Sequence, residues 1–253
     1  MEKLSEFKKF MSYLANISAD VIKPYFRTEI NIEHKEDYSP VTVADKNAEE
    51  VMRKAIIKKY PEHGIIGEEF GSYKEDAEYK WVLDPIDGTK SFICGALSFG
   101  TLIALLQNDV PVLGVINQPI LNEFLIGDNK NTFINNKPAL VRKCRDISEA
   151  VLLTTDHINI EKFQNLEKFE NLIRKVKLYR NWGDCYGYYL LATGFADVMI
   201  DPIMSFWDMM ALIPIVKGAG GIITDYKGDD PLKGNSIIAA SPIVHSQVIK
   251  YLN

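Results

Sequence analysis

The chain is poor in the residues that build soft-metal and redox chemistry. Its three cysteines, Cys94, Cys144 and Cys185, are odd in number and far apart. That pattern points to reduced thiols in small packing positions, buried in each case, and not to a disulfide framework. The four histidines (His34, His63, His157, His245) form no pair at metal-ligand spacing. This argues against zinc and against a phosphohistidine intermediate, and leaves hard oxygen ligands, which suit magnesium or manganese. A surplus of positive charge is also missing: a net charge of −5, with both signs interspersed, gives no basic footprint for nucleic acid. No apolar run approaches the length of a membrane span, and the start Met1-Glu2-Lys3-Leu4 lacks the apolar core of a signal peptide. These absences predict a cytoplasmic protein with neither a membrane nor a nucleic-acid partner.

What remains is a chain of 253 residues, 47% hydrophobic and 25% charged, able to bury a large core as one domain or two packed halves. There is no internal repeat, low-complexity tract or Pro/Ser-rich linker. Apolar positions at helical spacing predict helices over 3–26 and 42–60. Strands are expected near 64–67, 80–84, 98–107, 110–118 and 122–128, with Asn108-Asp109 as a hairpin turn, followed by a strand-rich stretch over 131–155. Helices over 161–175, 184–194, 206–218 and 242–252 then alternate with strands near 177–180, 196–200, 221–225 and 236–240. Strands first and alternation later predict a single domain over 1–253, with an α+β half over about 1–145 and an α/β half over about 146–253 sharing one core.

The most informative stretch is 81–95. Trp81, Val82 and Leu83 suit a buried strand ending at Asp84, where Pro85 starts a tight turn. Asp87-Gly88 is a turn pair, and Thr89 can open a short helix with free amides. Anions settle at such a helix start, and a cation can sit between the two aspartates. Each piece alone reads first as an ordinary turn or cap, and only in company as a metal site.

Other acids could share this place. Glu68 follows the apolar pair Ile65-Ile66, at a strand end that matches Asp84, whereas Glu69 reads as a solvated surface residue. Asp208 lies in the first turn of a segment, Met209 to Val216, that is apolar nearly all round and therefore buried. It reads as a partner of the helix dipole or, with little water near it, of a cation. Pro214 should kink that helix or end it early. Asp45, at the start of the second helix, is a cap or a catalytic group. Two carboxylates about 4 Å apart repel by ~4 kcal/mol at an effective dielectric of 20. A divalent cation relieves that cost, and so converging acids predict metal.

Taken together, Gly67-Glu68-Glu69, Asp84-Pro85-Ile86-Asp87-Gly88-Thr89 and Trp207-Asp208 with Gly220-Gly221 downstream resemble the inositol monophosphatase superfamily of metal-dependent, lithium-sensitive phosphatases. The similarity runs from about residue 35 to 240. The resemblance implies an αβαβα sandwich, a homodimer, and two or three magnesium ions, with manganese as a substitute. It implies that Glu68, Asp84, Asp87, Asp208 and the carbonyl of Ile86 hold the metals. It further implies that Gly88 and Thr89, beside Asp87, cradle the phosphate, and that Thr89, paired with Asp45, orients and deprotonates the attacking water alongside Glu68.

Arg180 to Tyr188 and Ala196 to Pro202 are similar to the histidinol-phosphate phosphatase branch, as are Gly67 to Gly71 and Asp87 to Ile93. The inositol-specific branch usually carries small uncharged residues where Asp184 stands. Asp184, with Asp201 nearby, would favour a substrate bearing an ammonium group; the plainer readings are a helix cap for Asp184 and a turn for Asp201. The expected activity is therefore hydrolysis of a small phosphate monoester, L-histidinol phosphate first. The alternatives are an inositol-1-monophosphatase, a broad sugar-phosphate phosphatase, or a regulatory binding protein on the same fold.

Overall fold

A computed structural model describes residues 2–29, 32–34 and 40–253. Helix α1 (Glu2–Ile22) passes into a single 3-10 turn at Lys23–Tyr25, earlier than the expected end at 26, because Pro24 cannot extend the α-helical ladder. Strands β1 (Ile32–His34) and β2 (Pro40–Thr42) form a small ribbon that delivers the chain into α2 (Val43–Lys59).

The next eight strands make one sheet: β3 (Gly64–Gly67), β4 (Gly71–Tyr73), β5 (Tyr79–Asp87), β6 (Gly100–Gln107), β7 (Val110–Gln118), β8 (Glu123–Gly127), β9 (Thr132–Ile134) and β10 (Lys137–Ala139). Their spatial order is 10-9-8-7-6-5-3-4, antiparallel except for β3 beside β5. The short α3 (Thr89–Ile93) sits between β5 and β6. Asn108 and Asp109 both take positive φ, as a tight hairpin demands. A second sheet holds β11 (Val151–Thr154), β12 (Leu178–Arg180), β13 (Val198–Asp201), β14 (Ile222–Thr224) and β15 (Ile237–Ala240) in the order 12-11-13-15-14. Its helices are α4 (His157–Phe163), α5 (Leu166–Ile173), α6 (Asp184–Ala192), α7 (Phe206–Gly218) and α8 (Pro242–Leu252).

Strand periodicity stacks these parts into five layers. Trp81, Leu83, Ile103, Leu105 and Val115 face α1 and α2, packing on Phe7, Met11, Met52 and Ile56. Their neighbours Val82, Leu102, Ala104 and Ile116 face the other way, onto α6 and α7. The second sheet repeats the pattern. Leu153, Met199, Ile237 and Ala239 meet the far side of α6 and α7, whereas Leu152, Val198, Ile200 and Ile238 meet α4, α5 and α8. The order is thus helix pair, sheet, helix pair, sheet, helices: the αβαβα sandwich.

Three expectations need correction. The helix foreseen over 161–175 is two helices, because Gln164 is extended and Asn165 caps α5 by accepting from the Lys168 amide at 2.9 Å. The early end that Pro214 suggested does not occur: α7 runs to Gly218, the bound expected for it, with Pro214 inside the helix. Tertiary packing overrides the local penalty. Pro214 and the Ala211 carbonyl lie against Gly114 of β7, where a Cβ would stand 2.8 Å and 2.0 Å from them, and the carbonyls of Pro214 and Ile215 accept from Asn129 and Thr132. Finally, all three thiols are free, but only Cys144 and Cys185 are buried; Cys94, at the end of α3, is exposed. No described helix is long and apolar enough to cross a membrane.

Candidate active site

Strand β5 does not end at Asp84. It runs to Asp87 through a β-bulge: Asp84 pairs with Leu102 and Asp87 with Gly100, so Pro85 and Ile86 together oppose Thr101. A bulge is where a proline can sit inside a sheet, since its missing N–H leaves no gap in the ladder. The Pro85 carbonyl is used by the Thr101 hydroxyl at 2.8 Å. Asp84 and Asp87 consequently come to one place. With Asp208 they form a cluster whose carboxylate oxygens lie within 4.8 Å of one another.

Asp208 arrives from α7, where it also caps the helix: the Ser205 amide donates to its Oδ2 at 3.0 Å. The helix-start reading of this residue thus holds, and its place in the acidic cluster is what the cation reading requires. Glu68 comes from the end of β3, whose parallel register with β5 sets Gly67 beside Leu83; the Glu68 amide donates to the Leu83 carbonyl at 3.1 Å, which brings it alongside Asp84. Asp45 caps α2, taking the amide and hydroxyl of Thr42 on Oδ2 at 2.8 and 2.5 Å. Its Oδ1 faces the Thr89 hydroxyl at 3.4 Å, while the Ile86 carbonyl accepts that hydroxyl more closely, at 3.1 Å.

The electrostatics follow from burial and like charge. Asp84 is held well above the usual carboxylate range by burial, then by the charges of Glu68, Asp87 and Asp208. Asp87 is raised likewise, by burial, Asp184 and Asp208. Burial pushes Asp208 up to about 7 and Asp45 up to about 6, against the hydrogen bonds from Ser205 and Thr42, with Glu68 adding repulsion to both. Asp84 Oδ1 is buried and has no hydrogen-bond partner among the described residues. An orphaned carboxylate oxygen inside a cluster of hard, anionic donors fits a divalent cation, magnesium or manganese by donor type.

Asp184 is not a cap. It is the first residue of α6, with φ +50, and Gly183 precedes it without a side-chain cap. Its amide donates to the Thr155 hydroxyl at 2.9 Å and its Oδ2 accepts from the Ser91 hydroxyl at 2.7 Å, so the carboxylate reaches across to α3. Gly88 makes room for it: φ is +82 there, and a Cβ would stand 2.9 Å from the Asp184 carboxylate. Burial, opposed by Ser91, raises Asp184 to about 6. Asp201 turns inward. It is buried, with Oδ1 taking the Thr155 amide at 3.2 Å and Oδ2 the Tyr188 hydroxyl at 2.8 Å.

These groups line one cleft of about 700 Å³, with Glu68, Asp84, Ile86, Asp87, Gly88, Thr89, Asp184 and Asp208 on its walls; Asp201 lines a smaller adjoining recess. Sequence reasoning missed Ser91, Thr155, Asp156, Asn159 and Asn181, which also line the cleft. Thr155 carried a signal, since a polar pair directly follows the apolar run of β11. Ser91 gave none. The Cys185 amide, which donates to Asp87 Oδ2, was equally invisible. Strand ends of β3, β5 and β11 and the starts of α3, α4, α6 and α7 converge here, the usual place for a ligand in a layered α/β fold. Helix starts favour an anion while the carboxylates favour cations.

Comparison with known proteins agrees. The model that defines the inositol monophosphatase family matches residues 3–253. A chloroplastic bifunctional phosphatase of Arabidopsis thaliana is 47% identical over 230 residues, 89% of this chain and 66% of that protein. A histidinol-phosphatase of Chlorobaculum parvum is 38% identical over 232 residues, 90% of this chain and 89% of that protein. Among solved structures, an inositol monophosphatase from Zymomonas mobilis superposes with a TM-score of 0.88 at 38% identity, covering 98% of each chain. The chain belongs to the inositol monophosphatase family, whose phosphatases are metal-dependent.

Proposed function

We propose that this protein is a magnesium-dependent phosphomonoesterase whose preferred substrate is L-histidinol phosphate, cleaved to L-histidinol and phosphate. The observation that carries the substrate is Asp184. Its carboxylate stands on the cleft wall, fixed on Ser91, in a cleft whose lining holds six acidic side chains and one lysine, Lys90. Glu68, Asp84, Asp87 and Asp208 are taken up by the cations in this reading, which leaves Asp184, with Asp156, to pair with an ammonium group on the substrate, a charge-assisted contact that a neutral polyol makes only as an ordinary hydrogen bond. The histidinol-phosphatase name of the Chlorobaculum relative supports the same choice.

In this reading Glu68, Asp84, Asp87, Asp208 and the Ile86 carbonyl hold two or three divalent cations, which supply Lewis-acid stabilisation of phosphoryl charge and a more acidic water. Gly88 and Thr89 receive the phosphate. Asp45 serves as the proton sink: its Oδ2 is already committed to Thr42, so Oδ1 is the oxygen that faces Thr89. Burial, the first cause of its raised pKa, suits this carboxylate to taking a proton through the Thr89 hydroxyl near neutral pH. Glu68, which lines the same cleft, would orient the attacking water together with Thr89 and Asp45. Asp201 acts behind the wall, holding Thr155, whose hydroxyl in turn receives the Asp184 amide. The whole chain acts as one domain, because α6 and α7 pack between both sheets. A homodimer is part of the same proposal and is checked by light scattering.

The second reading, an inositol-1-phosphatase or broad sugar-phosphate phosphatase, is favoured by the inositol monophosphatase from Zymomonas, which is as similar in sequence as the Chlorobaculum protein. Turnover of L-histidinol phosphate, inositol-1-phosphate and fructose-1,6-bisphosphate, each with magnesium, decides between them. L-Histidinol phosphate is expected to give the highest kcat/KM; if it is the poorest of the three, the Asp184 reading is wrong.

A further inference from the structure

The loop that carries Glu68 is built around a carboxylate outside the acidic cluster. Glu49, on α2, is fully buried. Its Oε2 accepts from the Glu69 amide at 2.8 Å, and its Oε1 accepts from the Phe70 amide at 3.2 Å and from Arg53 Nη1 at 2.9 Å. The same Arg53 nitrogen donates to the Gly71 carbonyl at 2.9 Å. Gly67 is required by this arrangement, because a Cβ there would fall 1.9 Å from Glu49 Oε1. A buried carboxylate is costly unless fully hydrogen-bonded, and here the loop backbone supplies much of that bonding.

The consequence falls on Glu68. The peptide on its N-terminal side is fixed by its own amide on the Leu83 carbonyl, and the peptide on its C-terminal side by the Glu69 amide on Glu49. Both peptide planes flanking the Glu68 Cα are therefore pinned, one to the strand that carries Asp84 and one to α2. Residues 45, 49 and 53 are spaced four apart, so they lie in a row along one face of α2. That row holds Thr89 at one end, through Asp45, and the Glu68 loop at the other, through Glu49 and Arg53.

We propose that Glu49, backed by Arg53, is a positioning residue that sets Glu68 relative to Asp84 and so determines how tightly the acidic cluster takes up its cation. This rests on the metal reading of the cluster given above. The test measures Mn2+ affinity by calorimetry, the magnesium concentration for half-maximal activity and the metal-free melting temperature, for wild type, Glu49→Gln and Arg53→Gln. The first substitution keeps the side-chain volume but removes one of the two acceptors. Losing a group that orients a metal ligand typically costs about 10–100-fold in metal affinity, and the lower end, about tenfold in Mn2+ Kd and in half-saturating magnesium, is expected for Glu49→Gln. Arg53→Gln should move both in the same direction by less, and it carries the test if Glu49→Gln does not fold. If a variant melts lower yet keeps wild-type Mn2+ affinity and magnesium half-saturation within twofold, Glu49 is merely structural and the inference is overturned. If wild type binds no Mn2+, the metal reading itself fails and this one falls with it.

Discussion

Asp87 is the residue on which most of the site converges. It faces Asp84 and Asp208, feels the charge of Asp184, and takes the Cys185 amide. Burial and the neighbouring acids oppose ionisation of Asp87, so an uncharged side chain there removes repulsion wherever the metal-free cluster would otherwise be ionised. An asparagine there can still accept the Cys185 amide. Asp87→Asn is therefore expected to abolish phosphatase activity while leaving the metal-free melting temperature unchanged or raised. A large loss of metal-free stability would instead give Asp87 a structural role. Asp184 makes the opposite kind of prediction, because it lies outside the close cluster. Asp184→Asn should raise KM for L-histidinol phosphate by about 10–100-fold, the equivalent of the ~1.5–3 kcal/mol that a hydrogen bond to a charged group contributes. Its effect on β-glycerophosphate, which carries no ammonium group, should stay within severalfold. Equal losses on both substrates would show that Asp184 holds the cleft and does not select the ligand.

At the scale of elements, the site depends on two irregularities, the bulge in β5 and the seating of α7 against the first sheet. Helix α7 brings Asp208 to the cluster, and its depth is set by Gly114 and Gly127, where a Cβ would stand 2.0 Å from the Ala211 carbonyl and 2.5 Å from the Ile215 Cα. Gly114→Ala forces backbone against side chain in a packed core, a change that typically costs about 1–3 kcal/mol. A lower melting temperature with a weaker response to magnesium is expected. Lower stability with an unchanged magnesium requirement would show that the helix relaxes without moving Asp208. These irregularities also mark the limit of what the chain discloses on inspection. The carboxylates at strand ends and helix starts were legible because turn residues and caps are local chemistry: Asp45 after Thr42, Asp208 after Ser205, Asp87 before Gly88. The bulge was not, because Pro85 forbids a helix whether the chain turns or stays in the sheet, and only Thr101 on the neighbouring strand shows which occurs. The early end that Pro214 suggested fails for the same reason: a local rule against proline in helices knows nothing of Gly114, on a strand far back along the chain. Ser91 and Asp184 meet across the seam between the halves, and no spacing along the chain encodes that contact.

Across the whole molecule, the cleft opens where both sheets and their helices converge, and the fold gathers acids there against their own electrostatics. Asp45 and Asp184 are raised to about 6 and Asp208 to about 7, with burial the first cause for each. The sign for stability follows by linkage. A carboxyl whose folded pKa exceeds its unfolded value of about 4 holds its proton longer in the folded state, so its contribution is complete below that value and is lost as pH rises through the folded one. The metal-free protein should therefore lose melting temperature between about pH 4 and pH 7, the interval in which the unfolded chain has released the protons that folded Asp45, Asp184 and Asp208 still hold. Magnesium acts in the contrary sense, since a cation binds the ionised cluster and must displace protons from the protonated one. At a concentration near 100 times Kd, ligand linkage adds about 2.7 kcal/mol. That corresponds to roughly 5–10 °C for a chain of this size, where each kcal/mol moves the midpoint by about 2–4 °C. The full magnesium shift is expected at pH 8 and only a small remnant at pH 5, measured by thermal scans with and without the cation. A shift of equal size at both pH values would mean that protons and cations do not compete for Asp84, Asp87 and Asp208, and the cluster would not be the place where the metal binds.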